Sequence, residues 1–286
     1  MATDWAPILR AARRSAGLSL DALSARTNYS PSQLGHLETR RRRVRSEHVT
    51  AYETALGVSI SPELHYVATI LAATRRLEDK TSPGLVLPAV RGLVPVAETL
   101  SAEIGSEIHQ YTGWLELVTG EQESADRSFD RAIELATEAD APDRLAHALS
   151  FKAYGLLEAG STTDAGAYTD SALAVTTAHP LIRVYVQYQG ARIKAVEGDR
   201  TGAIAQLREA GMATERITDV EPPDAAYWSD EATFALQRGR VLWLLGDESA
   251  ARREVLAGLD AMSPCNRAAS WAAKWRAVAD GADVPA

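Results

Sequence analysis

The stretch SPSQLGHLETRRRRVR, residues 30–45, decides how the N-terminal part of this chain folds. Ser30 can cap a helix because its hydroxyl accepts a bond from an orphan backbone N–H, and Pro31 suits the first helical position, where a missing N–H costs nothing. Leu34 and Leu37 lie three residues apart and can face one core. The stretch therefore predicts a short helix whose polar side chains point away from that core, followed at once by a cluster of arginines.

Four further short helices flank this one, each predicted from apolar residues at helical spacing and from a capping residue near its start. The residues that begin or cap the five helices are, in chain order, Trp5, Ser19, Ser30, Ser46 and Ser61. A short turn joins the second helix to the third. This order of helices describes a helix-turn-helix domain.

Charge is distributed unevenly along the chain. Residues 1–50 hold nine arginines against four acidic residues, a net charge of +5, whereas the 286-residue chain carries −8, so the remainder carries −13. A small helix with exposed hydrogen-bonding side chains beside clustered arginines suits the major groove of DNA. A basic module on an acidic body directs one part of the chain toward DNA and keeps the rest away. The alternative is a small helical bundle whose arginines are only solvated.

Residues 8–58 resemble the helix-turn-helix domain of the Xre and Cro family of phage and bacterial repressors. The stretch LSARTNYSPSQLGHLETRRRRV carries the resemblance, including the Leu37-Glu38 ending of the recognition helix. The resemblance implies that base edges are contacted by Pro31, Ser32, Gln33 and His36. The residues expected to contact the DNA backbone are Ser19, Arg40, Arg41, Arg42, Arg43 and Arg45. Two departures are that Arg40 replaces a glycine usual after the glutamate, and that Pro31 replaces a polar residue of many members.

Related repressors bind paired half-sites about one helical turn apart on double-stranded DNA. A single helix-turn-helix contacts too little DNA for strong specificity. We therefore expect a homodimer on a palindromic operator, with the C-terminal part of the chain supplying much of the interface.

The C-terminal part contains a pattern that occurs four times: a glycine, an alanine five residues later, a larger residue four further on and a small residue three beyond that. The four copies are Gly120, Ala125, Phe129, Ala132; Gly160, Ala165, Thr169, Ala172; Gly198, Ala203, Leu207, Ala210; and Gly246, Ala251, Val255, Gly258. Each glycine can turn the chain between antiparallel helices, and the small residues let those helices approach closely. This is the logic of the tetratricopeptide repeat, whose unit is about 34 residues. The alternative is an irregular helical bundle.

The predicted architecture is therefore all-α, with a five-helix helix-turn-helix domain over residues 1–78 and a tetratricopeptide-like α-solenoid over residues 84–286. The segment from Asp79 to Pro83 is the expected linker. A further helix over 88–104 is expected to connect the domains, and a last helix over 266–279 is expected to cap the repeats.

Stacked helix pairs form a superhelix with a concave face built from the first helix of each pair. The glycine register predicts that this face holds a ligand through Gln110, Trp114, His147, Ser150, Tyr154, Tyr185, Tyr188, Arg192, Leu236 and Arg240. Such aromatic and arginine side chains suit an extended, partly apolar ligand with a carboxylate or phosphate end. Arg192 and Arg240 share one repeat position and are expected to converge on that anionic group. Alternatively, the aromatic residues form the core between repeats and the arginines are solvated.

The domain order resembles the peptide-pheromone-responsive regulators of Gram-positive bacteria and, more closely, the Xre–tetratricopeptide regulators of high-GC bacteria. The stretches GWLELVTGEQESADRSFDRAIELA and YWSDEATFALQRGRVLWLLGD carry the second resemblance. It implies a small-molecule or peptide effector. One departure is that pheromone receptors often clamp the peptide with asparagines, and the repeat region here contains only Asn266. A second hypothesis is a DNA-tethered interaction module whose repeats bind a partner protein. A deep aromatic pocket would favour the effector, and a shallow open groove would favour the partner protein.

Signals for catalysis are weak. The six histidines show no metal-ligand spacing, and the chain has no Gly-rich phosphate loop. Cys265 is the single cysteine, which suits a reducing cytoplasm, and the N-terminus shows no signal segment or membrane-length apolar run. We therefore expect a cytoplasmic protein that is not an enzyme, with no cofactor, no bound metal and no membrane partner.

Overall fold

The computed structural model describes residues 4–217, 220 and 222–283. The chain forms two compact units, Met1–Ile70 and Leu71–Ala286. Both units are helical throughout their described residues, as the sequence predicts. Across those residues, no helix has the combination of length and apolar character that crossing a membrane requires.

The first unit contains the predicted helix-turn-helix arrangement. Its helices are α1 Trp5–Ser15, α2 Leu20–Ser24, α3 Pro31–Glu38, α4 Ser46–Leu56 and α5 Pro62–Glu78, the last of which ends in the second unit. The core consists of fully buried residues from the first four helices, among them Leu9, Leu23, Leu34, Leu37 and Tyr52. Burial of these apolar side chains is the main force that holds such short helices together.

Local hydrogen bonds begin α3 at the position that its sequence predicts. The Ser30 hydroxyl accepts from the backbone N–H of Gln33 at 3.3 Å, and the Ser30 N–H donates to Oε1 of Gln33 at 2.9 Å. This reciprocal capping box satisfies two backbone donors at once. After α3, Arg40 has a φ of 61°. That left-handed conformation is one that glycine adopts without strain, which accounts for the glycine that similar domains carry there.

The second unit is a chain of antiparallel helix pairs. After the end of α5, its helices are α6 Pro83–Leu100, α7 Ala102–Val118, α8 Gln122–Glu138, α9 Pro142–Glu158, α10 Thr162–Ala174, α11 Pro180–Val196, α12 Arg200–Glu215, α13 Glu231–Leu244, α14 Glu248–Ala261, α15 Pro264–Ala268 and α16 Ala273–Ala279. Short 3₁₀ turns occupy Asp224–Ala226 and Ser270–Ala272. The pairs α7/α8, α9/α10, α11/α12 and α13/α14 are the four predicted repeats.

The predicted glycine register is confirmed. Gly120, Gly160, Gly198 and Gly246 have φ values of 86°, 84°, 80° and 80°, and each lies in the turn within a pair. Only glycine enters this conformation freely. The alanines that follow them in the pattern are buried. These features make the unit a tetratricopeptide-like α-solenoid.

A second row of small residues, not recognised in the sequence, completes the helix packing. Its buried members lie on the first helix of each pair, at Gly113, Ala153, Ala191 and Gly239. A Cβ atom at Gly113 would lie 2.7 Å from the Phe129 ring, and one at Gly239 would lie 2.7 Å from Cγ2 of Val255. In these two repeats the larger residue of the second helix therefore packs directly against a residue without a side chain.

Three expected boundaries differ from the structure. The compact units divide at 70/71 rather than within 79–83, because Glu78 and Asp79 are buried among side chains of the second unit. The helix expected over 88–104 is α6, which ends at Ser101, where the Ser101 hydroxyl accepts from the Glu103 N–H and starts α7. The helix expected over 266–279 is interrupted after α15, because the Ser270 N–H donates to the Asp79 carbonyl.

Candidate functional site

The exposed side of α3 is the candidate DNA-reading surface of the first unit. Leu34, Leu37 and Glu38 are its buried residues, whereas Ser32, Gln33 and His36 are exposed and Pro31 is half-buried. The four residues predicted to contact bases therefore lie outside the core. Gln33 already accepts the Ser30 N–H through its carbonyl oxygen. Its side-chain NH₂ stays available to donate to a base edge.

The arginines after α3 form an exposed basic segment. Arg41, Arg42, Arg43 and Arg45 are all solvent-exposed. Arg40 is also exposed, but its Nη2 lies 2.7 Å from Oδ2 of Asp4, and this hydrogen bond lowers the pKa of the Asp4 carboxyl. Ser19, the remaining predicted backbone contact, is exposed and caps α2 by accepting from the Ala22 N–H. The segment can supply phosphate contacts without any rearrangement of the core.

A buried ion pair between Glu38 and Arg13 holds α3, which carries this surface, in position. Glu38, at the end of α3, accepts two bonds from Arg13: Nε to Oε1 at 2.8 Å and Nη2 to Oε2 at 2.7 Å. The Tyr52 hydroxyl donates to Oε1 at 3.0 Å. Burial and the Glu38 charge raise the pKa of Tyr52, so the phenol stays a donor. The pair joins α1, α3 and α4, and thereby fixes the position of the third helix.

The second unit contains a cavity of about 500 Å³ that is partly open to solvent, a size within the range of small-molecule sites. Nine of the chain's eighteen Phe, Tyr and Trp residues line it. They are Tyr111, Trp114, Phe151, Tyr154, Tyr185, Tyr227, Trp228, Trp271 and Trp275. Several contact one another edge to face, such as Trp114 with Phe151 at 5.6 Å between ring centroids. This concentration of aromatic residues makes the cavity the candidate ligand site.

Two buried carboxylates, Glu78 and Asp79, form part of the wall. Glu78 accepts from Trp114 Nε1 at 2.9 Å and from the Tyr111 hydroxyl at 3.1 Å. Asp79 accepts from the Tyr227 hydroxyl at 2.8 Å and from Trp271 Nε1 at 3.0 Å. Burial raises the pKa of Glu78 despite its hydrogen bonds, with the Asp79 charge adding to the effect.

These contacts close the solenoid on itself. The bonds from Asp79 to Tyr227 and to Trp271 span 148 and 192 residues. They connect the start of the second unit to the segment before α13 and to the segment after α15. Contacts between the two ends of the unit therefore bridge the concave side of the repeats, and the cavity there stays partly open to solvent.

A second cluster lies at Arg75, whose Nη1 is 2.7 Å from Oε1 of Glu107. Arg144 Nη2 pairs with the other Glu107 oxygen at 2.5 Å. Burial alone would raise the pKa of Glu107, but the two arginines outweigh it and lower the pKa to about 2. Burial and the same two arginines lower the pKa of His147 to about 3. His147 is therefore a neutral imidazole at physiological pH, packed against Phe151 at 4.8 Å between ring centroids.

The arginines that share one repeat position converge on a carboxylate of the chain itself. Arg192 Nη2 and Arg240 Nη2 lie 2.7 Å and 3.3 Å from Oε1 of Glu158. Arg240 and Lys274 line the cavity, while Arg192 lies over the Tyr154 ring. Burial and the Arg240 charge lower the pKa of Lys274 to about 8, although part of its side chain stays exposed.

The structure brings seven of the ten predicted ligand residues to the cavity wall: Gln110, Trp114, His147, Tyr154, Tyr185, Leu236 and Arg240.

The other three predicted residues need correction. Ser150 is buried between helices, where its hydroxyl donates to the His147 carbonyl and its own carbonyl accepts from Gln189. Tyr188 stacks on Phe234, with its hydroxyl near Arg238. Arg192 is turned to Glu158. These three share their repeat positions with residues that do line the cavity, so their local partners, and not the register, turn the side chains away.

Several residues of the cavity wall were not predicted from the sequence. Some of them, such as Tyr111 and Phe151, lie within the repeats. Others lie outside the repeats: Arg75, Glu78 and Asp79 from α5 and its end, Tyr227 and Trp228 before α13, and Trp271, Lys274 and Trp275 near the C-terminus. One available signal was tryptophan usage, since four of the six tryptophans line the cavity. No group of three His, Cys, Asp or Glu residues suited to a metal ion occurs within the described ranges.

Comparison with known proteins agrees with this division of the chain. Residues 8–65 match the protein family described as "Helix-turn-helix domain". No curated protein sequence matches the chain. Among solved structures, the chain is similar to Bacillus thuringiensis PlcR, crystallised with the peptide PapR7 and DNA. The TM-score is 0.55 at 13% identity, over 90% of this chain and 93% of that one.

Two solved structures give TM-scores of 0.48. One is a kinesin light chain with nearly identical TPR-like repeats from Podosopora anserina, 14% identical over 69% of this chain and 94% of that one. The other is BtubC from P. vanneervenii, 13% identical over 97% of this chain and 94% of that one. The helix-turn-helix match and the four glycine-turned helix pairs show that the chain combines an N-terminal helix-turn-helix domain with a tetratricopeptide-like repeat unit.

Proposed function

We propose that this chain is a cytoplasmic, sequence-specific DNA-binding transcription regulator of the Xre type. It acts as a homodimer on a palindromic operator. Its repeat unit binds a small effector, and the bound effector sets the affinity for DNA. The chain has no catalytic role in this proposal.

The DNA-binding part of the proposal is supported by the helix-turn-helix match over residues 8–65. It is also supported by the exposed face of α3 and by the four exposed arginines that follow it. In such domains the third helix reads the major groove while neighbouring cations contact phosphates. PlcR, which is similar in structure to this chain, was crystallised with DNA and a peptide. This agrees with one unit that binds DNA and another that binds an effector.

The effector part is carried by one observation: half of the aromatic residues of the chain line one cavity of about 500 Å³. Burying aromatic side chains around empty space gives up contacts that a packed core would make, unless a ligand supplies them. The alternative is a repeat surface that binds a partner protein, and a shallow open groove would favour it. The bonds from Asp79 to Tyr227 and Trp271 bridge the concave side of the repeats, which favours a small effector over a folded partner protein.

An effector changes DNA affinity only if it prefers one of two conformations of the protein. The end of α5 is a natural place for this preference to act, because α5 begins in the helix-turn-helix unit and Glu78, its last residue, lines the cavity. A ligand against Glu78 therefore contacts the chain segment through which the first unit continues into the second.

The test begins with the purified chain and a library of random duplexes, from which one palindromic sequence should be enriched. Native mass spectrometry should show a dimer and a co-purifying molecule of low mass. Operator affinity should then change when that molecule is removed by unfolding and refolding, and return when it is added back. Absence of sequence enrichment would refute DNA reading, and equal affinity with and without the molecule would refute sensing.

The basic segment gives a sharper prediction. Replacing Arg41, Arg42 and Arg43 with alanine should weaken binding to all duplexes alike. It should also lower the slope of log affinity against log salt by about 0.9 for each lost phosphate contact, about 2.7 in total. The matched control is alanine at three exposed arginines of the repeat unit, Arg127, Arg208 and Arg253, which changes the net charge equally. If both triple variants change the slope alike, the segment makes no phosphate contacts.

A further inference from the structure

Two buried nitrogen atoms in the cavity wall have no hydrogen-bond partner: Nη2 of Arg75 and Nε2 of His147. Arg75 is 4% exposed and His147 is 3% exposed. Buried polar atoms in native proteins are nearly always paired, since an unpaired one costs free energy. Both nitrogens belong to residues of the cavity wall but are themselves buried in this structure, so a ligand in the cavity pairs with them only if the two side chains shift toward it.

The chemistry of these atoms restricts the partner. Arg75 Nη2 can only donate, so it requires an oxygen lone pair. Its neighbour Nη1 already binds Glu107, which orients the guanidinium. His147 is held neutral by burial and by the charges of Arg144 and Arg75. Its Nε2 therefore either donates to the same oxygen or accepts from an adjacent hydroxyl, depending on the tautomer.

The charges of the wall restrict the ligand further. Arg75 interacts with Glu78, and Glu78 and Asp79 line the same cavity; burial and the Asp79 charge raise the pKa of Glu78, which shows that negative charge is costly there. An anionic group at Arg75 would add to that cost. A cationic group would face Arg75, Arg240 and Lys274, which line the same cavity. Neither sign of charge is favoured, whereas the nine aromatic residues favour an apolar, flat molecule.

We propose that the effector is an uncharged aromatic molecule whose carbonyl oxygen accepts a hydrogen bond from Nη2 of Arg75, with His147 as the second polar contact. This rests on the proposed function, because it assumes that the cavity holds the effector, and it adds the chemical class of the effector and a binding residue, Arg75.

Probe binding tests the class. Prodan is an uncharged naphthalene that carries a ketone and a dimethylamino group, and its emission shifts to the red when the ketone accepts a hydrogen bond. Dimethylaminonaphthalene has the same rings without the ketone, and anilinonaphthalene sulfonate is an aromatic anion. We expect Prodan to bind about tenfold or more tightly than either, the effect of one hydrogen bond to a charged donor. Energy transfer from the cavity tryptophans locates the bound probe.

Two variants test the residues. Arg75→Lys keeps a cation for Glu107 but removes the second guanidinium nitrogen. The matched control is Arg144→Lys, the same exchange at the other partner of Glu107, which does not line the cavity. We expect Arg75→Lys to weaken Prodan about tenfold and to leave the ketone-free probe within about twofold, while Arg144→Lys changes neither.

His147→Phe keeps the aromatic contact with Phe151 and removes both ring nitrogens. We expect it to raise Tm, because an unpaired buried nitrogen is lost, and at the same time to weaken Prodan binding. If His147 had only a structural role, the substitution would not raise Tm and weaken Prodan binding at the same time. This variant also keeps the test valid if Arg75→Lys fails to fold.

The proposal is overturned if Prodan and the ketone-free probe bind equally, if Arg144→Lys acts like Arg75→Lys, or if none of the three probes enters the cavity. Tighter binding of the sulfonate would make the site an anion site and would also overturn it. The proposed function is judged separately, by DNA enrichment and by the response of operator affinity to the co-purifying molecule.

Discussion

The two units of this protein each bury a cluster of charged side chains, but they complete the clusters differently. In the helix-turn-helix unit, both oxygens of Glu38 are paired with Arg13, and Tyr52 adds a third bond. In the repeat unit, Glu107 is paired with Arg75 and Arg144, yet an Arg75 nitrogen next to this pair has no partner. The first cluster is closed within the protein, and the second opens onto a cavity.

This difference between the two clusters distinguishes a structural role of buried charged groups from a ligand-binding role. A fully bonded ion pair fixes the positions of helices, and removal of one partner leaves a costly uncompensated charge. An incompletely bonded cluster on a cavity wall keeps hydrogen-bonding capacity for a ligand at some expense of stability. Glu38 is thus expected to matter for folding, and Arg75 and His147 for binding.

The largest effect is expected at Glu38. Glu38→Gln leaves the buried Arg13 guanidinium without its counter-charge, so the helix-turn-helix unit should lose about 3–5 kcal/mol of its free energy of unfolding. Amide hydrogen exchange along α1 to α4 measures this loss separately from the repeat unit. Asp4→Asn breaks the exposed pair with Arg40 and serves as the control, with no measurable change in protection expected. Equal effects of the two substitutions would show that the Glu38 pair does not organise the unit.

The second effect concerns pH and His147. Its pKa is about 3 in the folded protein and 6.5 as the reference for the unfolded chain. The unfolded chain binds more protons between these values, so the repeat unit loses stability as pH falls through 6.5 toward 3. The slope is at most about 1.4 kcal/mol per pH unit. His147→Phe should remove this slope between pH 6.5 and about 5.

Glu107 does not interfere in that range. Its pKa of about 2 lies below the reference value of 4.5, so its stabilising contribution is lost only as pH falls below about 4.5. Urea unfolding of wild type and His147→Phe at several pH values measures the difference. Parallel pH profiles for the two proteins would show that His147 is not held neutral by Arg75 and Arg144.

The smallest effect is expected at Glu78, a buried carboxylate bonded by neutral donors. Burial raises its pKa above the reference value of 4.5. The folded protein therefore holds this proton more tightly than the unfolded chain does, and the free energy of unfolding of the repeat unit falls as pH rises from about 4.5 through the raised pKa. Glu78→Gln removes the charge and keeps an acceptor oxygen. Its free energy of unfolding at pH 7 should stay within about 1 kcal/mol of wild type, in contrast to Glu38→Gln. A loss as large as that at Glu38 would show that the two carboxylates play the same structural role.

Much of the architecture could be predicted from local sequence. Ser30 and Pro31 begin α3 because capping depends on residues within one helical turn. Gly120 and its three equivalents mark the repeats because a left-handed turn requires glycine. The same register placed Trp114, Tyr154 and Arg240 at the cavity, whereas Arg192, at the same repeat position, bonds to Glu158 instead.

The register could not identify which charged groups meet. It placed Arg192 and Arg240 together and predicted a shared anionic group, but that group is Glu158 of the chain itself. It gave no indication that Asp79 meets Tyr227 and Trp271, because these residues lie outside the repeats. A repeat pattern relates each helix only to its neighbours, whereas closure joins the two ends of the unit.

The sequence by itself determined the all-α class, the helix starts, the glycine turns and the basic character of the first fifty residues. Each of these depends on residues a few positions apart or on simple charge counts. Only the tertiary structure decided that the solenoid closes around a cavity, that Glu38 is fully paired, and that Arg75 and His147 are not. The reason is physical: local hydrogen bonds are satisfied within one helical turn, but a buried charge acquires its partners only when distant segments pack around it.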